Sequence, residues 1–248
     1  MNYLVGDIGN TYTKISILND NFNIKKLYNI ETKKVFNENH KKKFFKKIIK
    51  MNLNSKILFS SVVPKCYSII KQYLKVKKFK VYEIKDLKIK NILKLKIKNY
   101  RQLGSDRISN AIGSSKFRNC IVIDFGTATT FDILKNGVYD GGVISPGIKL
   151  SIINLKRSTA LLPLLNLKQI KKNYGKNTKD AMNTGFLWGY QGLINNIIKK
   201  ILSNSKKNYK IILTGGYANF FKKYINYKTT IDKDITIKGL AIIFKKLL

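Results

Sequence analysis

The chain has 248 residues, 44% of them hydrophobic, which is enough apolar material for a buried core and excludes a disordered chain. Lysine and arginine number 49 against 13 acidic residues, a formal net charge of +36, yet only four of the basic residues are arginine (Arg101, Arg107, Arg118 and Arg157). Bidentate reading of bases and phosphates favours arginine, so the charge does not by itself mark a nucleic-acid reader; lysine spread among Asn, Ile, Tyr and Phe fits a drift toward A- and T-rich codons.

Residues 3–5 and 13–18 read as two strands of a hairpin around the turn at residues 7–14. The lysines of the run at residues 41–47 alternate with Phe44, Phe45, Ile48 and Ile49 at helical spacing, which predicts an amphipathic helix with lysines on its wet face. A strand at residues 57–63 is closed by Pro64, a helix follows over 68–74, and another strand over 80–84. The second half repeats the opening: strands at 119–124 and 129–134 flank a glycine turn, followed by a helical stretch around 178–202, a strand at 210–214 and a helix from Lys238. This order predicts an α/β chain of two similar halves, 1–114 and 115–248, joined near residues 109–118.

The N-terminus carries no basic region followed by a long apolar stretch, and no segment reaches the roughly 20 uninterrupted apolar residues of a membrane span. The expectation is a soluble, cytoplasmic protein with no membrane partner and no specific nucleic-acid partner. Cys66 and Cys120 lie in apolar surroundings without paired spacing, and His40 is the single histidine, so core thiols are expected in place of a zinc or disulfide framework.

Chemistry concentrates in turns. Asp7-Ile8-Gly9-Asn10-Thr11 and Asp124-Phe125-Gly126-Thr127 each end an apolar strand on Asp-x-Gly and a hydroxyl or amide residue. The glycine lets backbone approach a ligand, turn N–H groups and the Asn10, Thr11, Thr127 or Thr129 side chains suit phosphate oxygens, and the Asp suits a cation or its water shell. Singly, such a turn is also ordinary hairpin chemistry; paired, they suit one nucleotide. Thr214-Gly215-Gly216 adds a strand-to-helix corner, either close to a base or simply tight, and Gly141 to Gly147, with Pro146 between glycines, reads as a rigid turn. Neither a Walker loop nor a dinucleotide fingerprint occurs.

Asp7-x-Gly9-Asn10-Thr11, Gly104-Ser105-Asp106-Arg107, Asp124-x-Gly126-Thr127-Ala128-x-Thr130-x-Asp132, Gly141-Gly142-x-Ile144-x-Pro146-Gly147, Gly175-Lys176-Asn177-Thr178 and Thr214-Gly215-Gly216 stand in an order and spacing that resemble type III pantothenate kinases. The resemblance implies two ribonuclease-H-like halves of the acetate and sugar kinase, Hsp70 and actin superfamily, with ATP as co-substrate in the cleft between them. It implies phosphorylation of pantothenate to 4′-phosphopantothenate, the first step of coenzyme A biosynthesis. It assigns Asp106 as the base, Gly104, Ser105, Asp106, Arg107, Tyr100 and Thr178 to pantothenate, and Asp7, Ile8, Gly9, Asn10, Thr11, Tyr12, Thr13, Lys14 and Thr127 to ATP. It assigns Asp124 to a monovalent cation, potassium or ammonium, with Mg²⁺ accompanying ATP and a homodimer completing the substrate pocket.

Arg107 suits a bidentate grip on the substrate carboxylate. Ser105 or Asp106 is equally placed to cap a helix through residues 108–111, where a carboxylate keeps a low pKa and orients more than it abstracts. Lys14 reads either as a phosphate partner or as a solvated strand lysine, and Tyr100 as pocket wall or core. The alternative, a regulatory or nucleic-acid-binding protein on a retired kinase scaffold, predicts eroded catalytic positions and an arginine-rich stripe. An actin- or Hsp70-like ATPase predicts a much longer chain.

Overall fold

A computed structural model of the chain describes residues 1–169, 173–203, 205 and 207–248. Two compact units emerge, one of Met1–Arg118, Leu134–Gly141 and Asp234–Leu248, the other of Asn119–Ile133 and Gly142–Lys233.

The first unit is built on a sheet that begins with β1 (Asn2–Ile8), β2 (Tyr12–Leu18) and β3 (Ile24–Glu31). Helices α1 (Thr32–Val35) and α2 (Glu38–Ile49) lead to β4 (Leu53–Ser61), and α3 (Pro64–Val76) leads to β5 (Lys80–Glu83). The strand order is β3-β2-β1-β4-β5: β2 pairs antiparallel with β1 and β3, while β4 pairs parallel with β1 and β5. Central β1 buries Leu4, Val5 and Ile8, the continuous apolar run of a strand covered on both faces. One core gathers Leu4, Ile8, Ile15, Phe45, Ile48, Phe59, Cys66 and Ile70.

Local chemistry explains the helices. Pro64 occupies the first position of α3, where its missing N–H costs nothing, and so opens the helix, while the strand expected to run to residue 63 ends at Ser61. Asn37 caps α2 by accepting the His40 N–H at 3.1 Å, and Phe45 and Ile48 turn inward. Lys42, Lys43, Lys46 and Lys47 are exposed as the periodicity predicts, but Lys41 is only 8% exposed. Its ammonium sits over the Tyr73 ring, 5.5 Å from the centroid, and pairs with Glu38, so it belongs to the packed face.

Helix α4 (Ser105–Gly113) completes the first unit together with α8 (Ile235–Leu247) from the far end of the chain. Between them the chain forms a second sheet from β6 (Cys120–Phe125), β7 (Ala128–Lys135), β8 (Val138–Pro146), β9 (Lys210–Gly215) and β10 (Thr229–Ile231), of which Leu134–Gly141 belong to the first unit, with helices α5 (Ile148–Arg157), α6 (Thr178–Ser203) and α7 (Ala218–Phe221). Its order, β10-β9-β6-β7-β8, is the first sheet's order read in the opposite direction, with β6 standing where β1 stands. Parallel β6-β9 and β9-β10 match parallel β1-β4 and β4-β5, so the repeat heard in the Asp-x-Gly turns is a repeat of whole sheets.

Residues 141–147 differ from the rigid turn expected. Gly141, Gly142 and Pro146 are part of strand β8, and Gly147 stands at the N-terminus of α5. The turn lies earlier, at Asn136 (φ 56°) and Gly137 (φ 79°), whose paired positive φ values are those of a tight hairpin turn between β7 and β8. Cys66 and Cys120 are both buried free thiols.

Candidate active site

In the first unit, β1 and β2 are in register as Asp7 with Lys14 and Ile8 with Thr13, leaving Gly9, Asn10 and Thr11 as the turn. Gly9 N–H donates to the Tyr12 carbonyl at 3.0 Å, and the Thr32 hydroxyl donates to the Gly9 carbonyl at 2.6 Å. Asn10, Thr11 and Tyr12 are exposed. Ile8 and Thr13 point the other way: both are fully buried, Ile8 in the core and Thr13 beside the Thr32 hydroxyl at 3.1 Å. Neither side chain faces solvent, and Thr32, which the sequence did not single out, braces the turn from behind.

Gly104 precedes α4 and Asp106 lies in its first turn. A Cβ at Gly104 would fall 2.4 Å from the Asp106 Oδ1, so only glycine leaves room for that carboxylate to fold back, where it accepts the Arg107 N–H at 2.8 Å. A helix N-terminus favours a carboxylate, which predicts a low pKa; burial outweighs it and pushes Asp106 up, against the Arg107 N–H, the Arg107 charge and Lys85, which pull it down. Asp106 is thus closer to a base than its position alone suggests.

Ser105 is fully buried and does not cap the helix, because its hydroxyl donates to Glu83 Oε1 at 2.5 Å. Glu83 closes β5 and starts a single turn, Ile84–Asp86, in which Glu83 Oε2 accepts the Lys85 N–H at 2.6 Å. Tyr100 opens another single turn, Tyr100–Gln102, and its hydroxyl is buried with no hydrogen-bond partner among the described residues. Burial first, then the Glu83 and Asp86 carboxylates, push this phenol's pKa up. Beside it a pocket of about 300 Å³ is lined by Lys90, Lys98, Asn99, Tyr100 and Arg101, with Leu95 and Ile97 as apolar wall, a surface suited to an anionic ligand. Lys85 Nζ donates to the Arg101 carbonyl at 3.1 Å and ties this pocket to the Glu83 turn. Glu83, a residue the sequence reading missed, thus bonds Ser105 and acts electrostatically on Tyr100.

The second unit holds the other turn. Asp124, half-buried, ends β6 beside Gly215, whose φ is +85° and whose added Cβ would lie 2.5 Å from the Asp124 Oδ1. Thr127 is exposed, and its carbonyl accepts the Gly147 N–H at 3.1 Å, so the start of α5 braces this turn. Thr129 is buried, unlike Thr127. Gly215 and Gly216 form the strand-to-helix corner expected, with Gly216 N–H donating to the Phe125 carbonyl at 3.1 Å. Thr178 is the exposed first residue of α6, next to the close-packed Gly175, where a Cβ would meet the Ala181 nitrogen at 2.1 Å.

The family model for type III pantothenate kinase matches residues 3–200 of the chain. The chain belongs to the type III pantothenate kinase family. The type III pantothenate kinase of Pelagibacter ubique strain HTCC1062 is 45% identical over 239 residues, covering 96% of each chain. That of Fervidobacterium nodosum is 32% identical over 248 residues, covering 98% of this chain and 97% of the relative. Among solved structures, the activator of 2-hydroxyisocaproyl-CoA dehydratase from Clostridium difficile with bound ADPNP superposes with a TM-score of 0.59 over 98% of this chain and 93% of that one. At 14% identity this last likeness is one of fold alone. As a type III pantothenate kinase the chain catalyses ATP-dependent phosphorylation of pantothenate in coenzyme A biosynthesis.

Proposed function

We propose that Asp106 is the base of this pantothenate kinase and that residues 100–107 hold pantothenate. The observation that carries this is Asp106 itself: a carboxylate at the start of α4, raised in pKa by burial, given its space by Gly104 and set beside the Arg107 charge. Asp106 orients the pantothenate primary hydroxyl and accepts its proton; Arg107 grips the substrate carboxylate, and Thr178 contributes a further contact. The exposed part of the turn at Asp7, Gly9, Asn10, Thr11 and Tyr12, with backbone of Ile8 and Thr13, Lys14 and Thr127, holds ATP.

Cations fit this donor set. Mg²⁺ bound with ATP would be held by single carboxylates, with phosphate oxygens and water completing its shell. The glycine at position 215 leaves a cradle against the Asp124 Oδ1, which suits a monovalent cation, potassium or ammonium. Such cations neutralise charge on the transferred phosphoryl group.

The protein acts as a cytoplasmic homodimer without membrane or specific nucleic-acid partners. Exposed Leu161, Leu164, Tyr174 and Trp188, all in the second unit, support a covered surface, and no helix among the described residues is long and apolar enough to cross a membrane. The division into halves 1–114 and 115–248 follows the repeat of the two sheets, with α8 folded back onto the first unit.

ADP release with ATP, Mg²⁺ and potassium, with and without pantothenate, tests the assignment. Asp106→Asn is expected to lower pantothenate-dependent turnover by about 10²- to 10⁴-fold, the scale of a lost general base. A variant that keeps wild-type turnover removes Asp106 from this role.

A further inference from the structure

Glu83 is a carboxylate that the fold buries, leaving 8% of it exposed, and burying a charge is costly unless hydrogen bonds compensate. It makes them in three directions. Oε1 accepts the Ser105 hydroxyl at 2.5 Å and the Ser61 N–H at 3.3 Å, and Oε2 accepts the Lys85 N–H at 2.6 Å. Its own N–H donates to Asp86 Oδ2 at 3.4 Å. Capping the Ile84–Asp86 turn requires only Oε2 and the Asp86 contact. Oε1 is left over for that purpose and is spent on joining the end of β4 to the first residue of α4.

That first residue is Ser105, the covalent neighbour of Asp106. Further along the same helix, the Ser109 hydroxyl donates to the Ser105 carbonyl at 3.0 Å, so the first turn of α4 is held from within while Glu83 holds it from outside. Gly104 provides no side chain to fix the loop before it, and α4 has no side-chain cap. Without the Glu83 contact, the start of this helix would rest on its own hydrogen bonds and on packing.

We infer that Glu83 is a positioning residue for Asp106, acting through the Ser105 hydroxyl to fix the start of α4 against the ends of β4 and β5. The inference rests on the assignment of Asp106 as the base. Displacement of a reacting group by about 1 Å costs on the order of 10²-fold in rate, so a tether one residue away governs turnover more than substrate binding.

The test measures kcat and both KM values by ADP release, with thermal melts on the same samples, for the full-length protein and its Asp106→Asn, Ser105→Ala, Glu83→Gln and Ser105→Ala/Glu83→Gln variants. A glutamine offers one acceptor oxygen and sets an NH₂ against donors. Expected is a kcat lower by roughly 3- to 10-fold in Ser105→Ala and roughly 10- to 100-fold in Glu83→Gln, with KM for ATP within about twofold of wild type. The double variant should be no slower than Glu83→Gln alone, since both changes cut one link. Unchanged kcat in the single variants overturns the inference, as does a parallel worsening of kcat and KM for ATP, the sign of general damage. If Glu83→Gln does not fold, Ser105→Ala decides by the same criteria. No pantothenate-dependent turnover in the wild type, or full turnover in Asp106→Asn, overturns instead the assignment of Asp106 and this inference with it.

Discussion

Gly239 of α8 lies directly on Ser109 of α4: a Cβ added to Gly239 would fall 1.9 Å from the Ser109 carbonyl oxygen. The approach is reciprocal, since a Cβ on Gly113 of α4 would fall 2.2 Å from the Ile235 carbonyl oxygen of α8. The Thr236 hydroxyl donates to Asn110 Oδ1 at 2.7 Å between these contacts. Gly239→Ala therefore has to push two backbones apart. Overpacking of this kind costs typically 1–3 kcal/mol, and thermal denaturation should show Tm lower by several degrees, with turnover reduced because α4 bears Asp106.

Asp106→Asn should lose activity without losing stability. Burial raises the folded-state pKa of Asp106 above its unfolded value, so ionisation costs folding free energy, and that cost grows as pH rises from the unfolded pKa and is complete above the folded pKa. The amide removes the charge and can still accept the Arg107 N–H. Melts at pH 8 should place Asp106→Asn at or above wild type, while at pH values below both pKa values the advantage should vanish.

The Tyr100 hydroxyl is buried with no partner among the described residues, so nothing in the folded protein is lost when it goes. Tyr100→Phe should melt within about 1 °C of wild type, because removing an uncompensated buried polar group is close to neutral or better. If that hydroxyl serves the substrate, KM for pantothenate should rise roughly tenfold, the scale of one hydrogen bond, with KM for ATP unaltered.

At Gly215 a side chain meets two obstacles, a φ of +85° and the Asp124 carboxylate 2.5 Å away. Gly215→Ala should displace that carboxylate. Potassium titrations of ADP release should then show half-maximal activation at a concentration higher by roughly tenfold, while activation by Mg²⁺ stays within about twofold.

The net charge of +36 predicts adhesion to duplex DNA at low salt that is indifferent to sequence. Gel-shift titrations should show binding weakening by on the order of 10³-fold or more between about 50 and 200 mM salt, with equal affinity for unrelated duplexes.

Much of this was legible in the residues. The paired Asp-x-Gly turns announced a repeat because a strand that must stop at a ligand needs glycine there, and the sheets repeat accordingly. Pro64 marked a boundary because its ring suits only the first turn of a helix. Asn136-Gly137 was an equally plain hairpin signal that the reading of the Gly141 to Gly147 glycines as a turn passed over, so β8 was not expected. Lys41 looked like its neighbours because spacing alone cannot say whether a lysine stem lies along an apolar face. Glu83 had a faint signal: Glu83 and Asp86 stand three apart, the spacing of a cap, in a lysine-rich stretch of a chain with only 13 acidic residues. Its contact with Ser105 spans 22 positions and arises only when β5 and α4 are brought together.

The return of α8 to the first unit sets an order of assembly. Asp234–Leu248 follow the entire second unit in the chain, yet Gly239 and Thr236 are what close around α4. During synthesis the first sheet can form early, whereas the α8 contacts on α4 come from residues made after the second unit. The helix that starts at Ser105 is therefore completed by contacts that its neighbours in the sequence cannot supply.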